Sequence, residues 1–180
     1  EISECLVGSE MCIRDRVKDL PGDNEAKAET IDNNLQHEIV KKMSSNPVYY
    51  GKLSEMLKKI IMQRKVAAMS YQEYLKQVVE MAEAILHPED NGDYPDEVKN
   101  SAARRALFDY FEEDLELTVD VDGAIRIAIR PAWKKNRQKQ QKIRLAIYEK
   151  LLLHSYSKDK AEEETNQVFD IAQRQEEYDA

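Results

Sequence analysis

Apolar residues recur every three or four positions through most of this chain, and the clearest run lies between Asn46 and Leu86. Leu53, Leu57, Ile60, Ile61, Arg64, Ala67 and Ala68 follow helical spacing, and so do Tyr71, Tyr74, Leu75, Val78, Val79, Ala82, Ile85 and Leu86. Asn46 suits an N-cap and Pro47 the first helical position, where a missing N–H costs nothing. Ser70 and Glu73 form an S-x-x-E capping box, with Met69 and Tyr74 at the two staple positions, and Pro88 stops the second helix. Two amphipathic helices with so short a link are expected to pack antiparallel.

The same spacing predicts further helices. Ala28, Ile31, Leu35, Ile39 and Val40 mark one over Ala26 to Met43. Ser101 caps a helix over Ala102 to Glu112, with Ala103, Ala106, Leu107, Tyr110 and Phe111 on its apolar face. Ile143, Ala146, Ile147 and Leu151 mark Arg137 to Leu153. The last helix, Ala161 to Glu177, offers only Val168, Ile171 and Ala172, which suggests a peripheral or partner-dependent element.

Leu115 to Arg130 supports two readings. Leu115, Leu117, Val119 and Val121 alternate, Asp122-Gly123 follows, and Ile125, Ile127 and Ile129 alternate again, as in a β-hairpin. Leu117, Val121, Ala124, Ile125 and Ala128 also fit a helix, and an isolated two-stranded hairpin in a helical domain would be marginal unless packed. The expected fold is all-α, a bundle of about six to seven helices, with a small hairpin at 115–130 as the alternative.

Composition agrees with a helix-rich domain: the 180 residues are 42% hydrophobic and 34% charged, with five Gly and five Pro. No apolar run is long enough for a transmembrane helix. A net charge of −8 argues against generic nucleic-acid binding by the chain as a whole. Locally the balance inverts. From Arg126 to Tyr148 there is no acid, while Arg126 and Arg130 precede a candidate contact set of Trp133, Lys134, Lys135, Arg137, Lys139, Lys142 and Arg144. Such a segment either meets DNA phosphates or an acidic partner, or forms a solvated face balancing the acids at Glu112 to Asp122.

Catalytic patterns are absent from the sequence. It holds no phosphate-cradling G-x-x-x-x-G-K-[ST], no G-x-G-x-x-G and no G-x-S-x-G. His37, His87 and His154 lack ligand spacing, so no metal site is expected. Pro95-Asp96-Glu97-Val98-Lys99 looks like a compressed nuclease signature but lacks the strands that would assemble one. Tyr49, Tyr50, Tyr71 and Tyr74 could stack on bases, although tyrosines at helical spacing more often supply core area. No catalytic, cofactor-binding or metal-binding residue is assigned.

The N-terminus reads differently. Leu6 to Asp15, LVGSEMCIRD, resembles an in-frame translation of a sequencing-library adaptor. Residues 1–16 are therefore expected to be non-native, and Cys5 and Cys12 carry no redox or metal argument. Residues 17–25, with the Pro21-Gly22 turn signal, read as a linker, and residues 26–180 as the helical domain.

The words NPVYYGKLSEML, SYQEYLKQVVEMA, YPDEVKNSAARRALFDYF and Ile143-Arg144…Ala146-Ile147 resemble the C-terminal helical region of the restriction (R) subunit of type I restriction enzymes. The resemblance spans Ala26 to Tyr178. It departs at Trp133-Lys134-Lys135-Asn136, where the family usually reads like WRGN, with a glycine. It implies a helix over 115–130 that ends before the tryptophan. It also implies a cytoplasmic parent subunit, a type I site-specific deoxyribonuclease and ATP-dependent DNA translocase. In that subunit the nuclease and motor domains, which use ATP and Mg, lie upstream. The implied partners are the modification (M) and specificity (S) subunits, with DNA met through the assembly, and the implied role is coupling motor to core. A stand-alone helical protein–protein or DNA interaction module is the alternative.

Overall fold

A computed structural model describes residues 23–91 and 94–179, so the adaptor-like stretch and both cysteines lie outside the described residues. Among the described residues there are eight α-helices, two 3-10 turns and no strand, as the all-α reading expects. No helix among them is long and apolar enough to cross a membrane. The chain divides into two compact units, one containing residues 23–43 and 49–91, the other residues 44–48 and 94–179.

The first unit is built from α1 (Asn24–Lys42), α2 (Pro47–Lys65) and α3 (Tyr71–Leu86). Asp23 caps α1 by accepting from the Ala26 N–H, and Ser70 and Glu73 form the expected capping box on α3. Ala28, Ile31, Leu35 and Ile39 of α1 pack with Leu53, Leu57 and Ile60 of α2 and with Val78, Val79, Ala82 and Ile85 of α3. Burying each large aliphatic side chain contributes about 1.5–3 kcal/mol. The Tyr49 hydroxyl, early in α2, donates to the Ala84 carbonyl late in α3, while Arg64, late in α2, lies over the Tyr74 ring early in α3. The two helices therefore run antiparallel. Ala67 and Ala68 do not extend α2 as their spacing suggested: the helix ends at Lys65, and Ala67 takes a left-handed φ of 53° in the turn.

The second unit holds the short α4 (Asp96–Lys99), α5 (Ala102–Tyr110), α6 (Leu115–Ala128), α7 (Arg137–Leu153) and α8 (Lys158–Gln173). Its most extensive pairings are α6 with α7 and α7 with α8. The nuclease-like PDEVK stretch is the helical turn α4, with Val98 buried and Asp96 and Glu97 exposed. Residues 115–128 form a helix, not a hairpin. Asp114 caps it through the Leu117 N–H, and Leu117, Val121 and Ile125, four apart, are each at most 2% exposed. The alternating Ile127 is 77% exposed. Asp122, read as a turn residue, is fully buried because it accepts hydrogen bonds there. The last helix is no peripheral element: Ala161, Val168, Phe169, Ile171 and Ala172 all enter the core, and Phe169 in particular lies on the buried face.

Candidate partner-binding surface

The chain leaves α6 and turns at Ala132, whose φ of 58° is left-handed, into a 3-10 turn over Trp133–Lys135. The backbone reversal thus falls on Ala132, and Lys135, where the family word carries glycine, needs no positive φ. Asn136 then caps α7 by accepting from the Lys139 N–H.

The structure separates the seven candidate residues into three groups. Trp133 is not a contact residue: it is 1% exposed, its indole Nε1 donates to the Tyr178 carbonyl at 2.7 Å, and its ring meets Phe169 edge-on at 5.8 Å. A large side chain with its one polar atom satisfied internally is a core anchor. Lys139 and Lys142 fall outside the cleft between α7 and α8. The Lys139 ammonium donates to the Pro131 carbonyl at 2.6 Å, whereas Lys142 is exposed. Lys134, Lys135, Arg137 and Arg144 are the four brought together, lining one open cleft of about 820 Å³.

That cleft follows from helix geometry. Arg137, Gln141, Arg144 and Tyr148 recur at i, i+4, i+7 and i+11, so they form one stripe beside the buried row Ile143, Ile147, Leu151. Glu162, Thr165 and Asn166 of α8 form the facing wall. Arg144 is held in place, its guanidinium 3.8 Å from the centre of the Phe169 ring and donating to the Asn166 side-chain oxygen. Lys134 pairs with Asp179 and donates to the Gln175 carbonyl at 3.1 Å. Lys135 and Arg137 are exposed and make no side-chain hydrogen bond or ion pair among the described residues. Arg137 sits in the first turn of α7, which contains no acid, although the helix dipole there disfavours cations by about 0.3–1 kcal/mol.

A network centred on the buried Asp122 carboxylate, unforeseen in the sequence, holds this turn in place. The Asp122 carboxylate accepts from Arg104 Nε at 2.6 Å, Arg126 Nε at 2.8 Å and the Tyr178 hydroxyl at 2.7 Å. Burial alone would raise its pKa, but the hydrogen bonds from Arg126, Arg104 and Tyr178 outweigh that and hold it below the ordinary value. Burial and the neighbouring Asp122 push the Tyr178 hydroxyl the other way, upward. Glu177 caps the start of α5 through the Ser101 hydroxyl and the Ala102 N–H, and accepts from Arg126 at 3.0 Å. Its partial burial is offset by the Ser101, Arg126, Ala102 and Ala103 hydrogen bonds, so its pKa is also lowered. Arg126, counted with the basic segment, is exposed but is already paired with Asp122 and Glu177. Arg130 is also exposed, and its guanidinium donates to the neighbouring Ile127 and Ile129 carbonyls. The readable signal was the Asp122–Arg126 spacing of four on one helix.

The first unit contains a smaller counterpart. Buried Asp32 accepts from the Tyr74 hydroxyl and from Arg64, each at 2.8 Å, and Arg64 also pairs with Glu25. Of the four tyrosines, Tyr50 and Tyr74 are buried, and Tyr49 and Tyr71 pack against the same core, as the core reading expects. His87, Glu89 and Asp90 are the one group of potential metal ligands that gathers among the described residues; it is a solvent-facing loop cluster with His87 3.4 Å from Glu89. Comparison of the chain with protein-family models, with curated proteins and with solved structures finds no match.

Proposed function

We propose that this chain is the C-terminal helical region of the restriction subunit of a type I restriction–modification enzyme, and that it serves as a contact element rather than a catalytic one. The observation carrying this reading is the α7–α8 cleft, which gathers Lys134, Lys135, Arg137 and Arg144 on one face of an otherwise acidic chain. The family-like words support it. They fall on the start of α2, the capping box of α3, the N-terminus of α5 and the centre of α7. In this reading the catalysis, with its ATP and Mg, belongs to upstream domains, and the segment helps attach the motor to the M and S subunits, with DNA bound through the assembly.

The test is to mix the chain with a purified M–S core in the absence of DNA and to measure complex formation by size-exclusion chromatography. Co-elution is expected, and separate elution would favour a stand-alone interaction module. Charge reversal at Lys134, Lys135 and Arg137 that left both assembly and DNA binding unchanged would remove the cleft from this role.

A further inference from the structure

Resting on the reading of the α7–α8 cleft as the contact face, we propose that what it grips is the phosphate backbone of a nucleic acid, without base readout. Four cations line the cleft against one lining carboxylate, Glu162; Lys134 is paired with Asp179, which leaves Lys135, Arg137 and Arg144 without a paired acid among the described residues. Lys135 and Arg137 have no internal partner among the described residues, and Arg144 is oriented by a neutral amide and an aromatic face, with no carboxylate paired to it. The guanidinium is therefore pre-positioned for a charge-assisted, two-pronged contact to a phosphate.

Spacing points to a strand and not to a single phosphate. Arg137 and Arg144 are seven residues apart on one helix, about 10 Å at 1.5 Å per residue, with Lys135 before them. Along one strand of duplex DNA that length carries about three phosphates. The exposed amide of Gln141 lies between the two arginines and can donate to a phosphate oxygen. A protein partner would be expected to seat an aromatic or aliphatic anchor. Here the strongest anchor candidate, Trp133, is in the core, and Leu145 is the one strongly exposed large apolar side chain lining the cleft. The overall negative charge is not prohibitive, because beyond a Debye length of about 8 Å at physiological salt it is largely screened.

The experiment is fluorescence anisotropy of a labelled random-sequence duplex of about 20 base pairs, titrated with the full chain between about 50 and 200 mM salt. For three phosphate contacts, log affinity should fall with log salt with a slope of about −2.7. Lys135→Glu/Arg137→Glu should weaken binding at least about tenfold and flatten that slope by about 2. Lys41→Glu/Lys142→Glu, exposed positions outside the cleft, makes the same change in net charge and should weaken it less than about threefold. The proposal is overturned if the wild-type chain gives no anisotropy change at low salt, or if both double variants lose affinity equally. It is also overturned if a poly-glutamate chain of equal charge competes as well as unlabelled duplex, which would reassign the cleft to an acidic protein surface. Binding to the M–S core without duplex binding rejects this inference and keeps the restriction reading. Duplex binding without core binding does the reverse.

Discussion

Asp32 in the first unit and Asp122 in the second solve the same problem with different resources. Each is a buried carboxylate that takes a tyrosine hydroxyl and at least one arginine, and in each unit the arginine also lies over the ring of that tyrosine. Asp32 has one arginine, shared with the exposed Glu25. Asp122 has two, and Glu177 extends the network to the N-terminus of α5. The first clasp joins three helices that already share an aliphatic core. The second fastens a short C-terminal turn that carries the Trp133 acceptor and the Lys134 partners. A clasp that secures an irregular turn has more to hold, because that turn has few backbone hydrogen bonds of its own.

If this contrast is right, Asp122→Ala should have the largest effect, about 3–5 kcal/mol, because two arginines and a buried hydroxyl lose their acceptor. Asp32→Ala should cost less, about 1–3 kcal/mol, since Arg64 keeps Glu25. Urea unfolding would read both as shifts in midpoint, and equal losses would break the comparison. Acid should also act on the second clasp. Asp122 and Glu177 have folded-state pKa values below their unfolded ones, so their contribution is fully present above the unfolded carboxylate range. It is lost as pH falls through the lower folded values. Circular dichroism of wild type and Asp122→Asn across that range should show the variant with the shallower acid transition.

Smaller effects sharpen the picture. Tyr178→Phe and Tyr74→Phe each remove one buried donor, and each should cost about 1–2 kcal/mol in urea unfolding. Ser70→Ala should cost about 1 kcal/mol, the worth of a typical N-cap. Ser101→Ala should exceed Ser70→Ala, because the Ser70 hydroxyl donates only within its own helix start, to Glu73, whereas Ser101 donates to the distant Glu177 and accepts from Arg126; thermal midpoints of the two variants compare them directly.

Local rules made most of the fold legible. The capping box, the Ser101 cap and the bounds of α7 all lie in short words whose physics is confined to one turn. They failed at 115–128, where Asp122-Gly123 mimics a hairpin turn. What decides that segment is the acceptor role of Asp122 toward Arg104, eighteen residues away. Phe169 was missed for a similar reason: its stripe looks weak until α7 and the Trp133 ring cover it. In the cleft, the acid-free run was visible, but only helix phase could show that Arg137 and Arg144 share a face that Lys139 and Lys142 do not. The burial of Trp133 depends on an acceptor from Tyr178, which no local pattern announces.

The placement of that single tryptophan has an optical consequence. Trp133 is the chain's only indole, it is sealed in the second unit, and the first unit carries tyrosines alone. Selective excitation of the indole therefore yields a colour signal from one unit, while tyrosine absorbance and far-ultraviolet ellipticity sum over both. Without any label or engineered probe, the order in which the two halves melt can be read from whether those signals coincide.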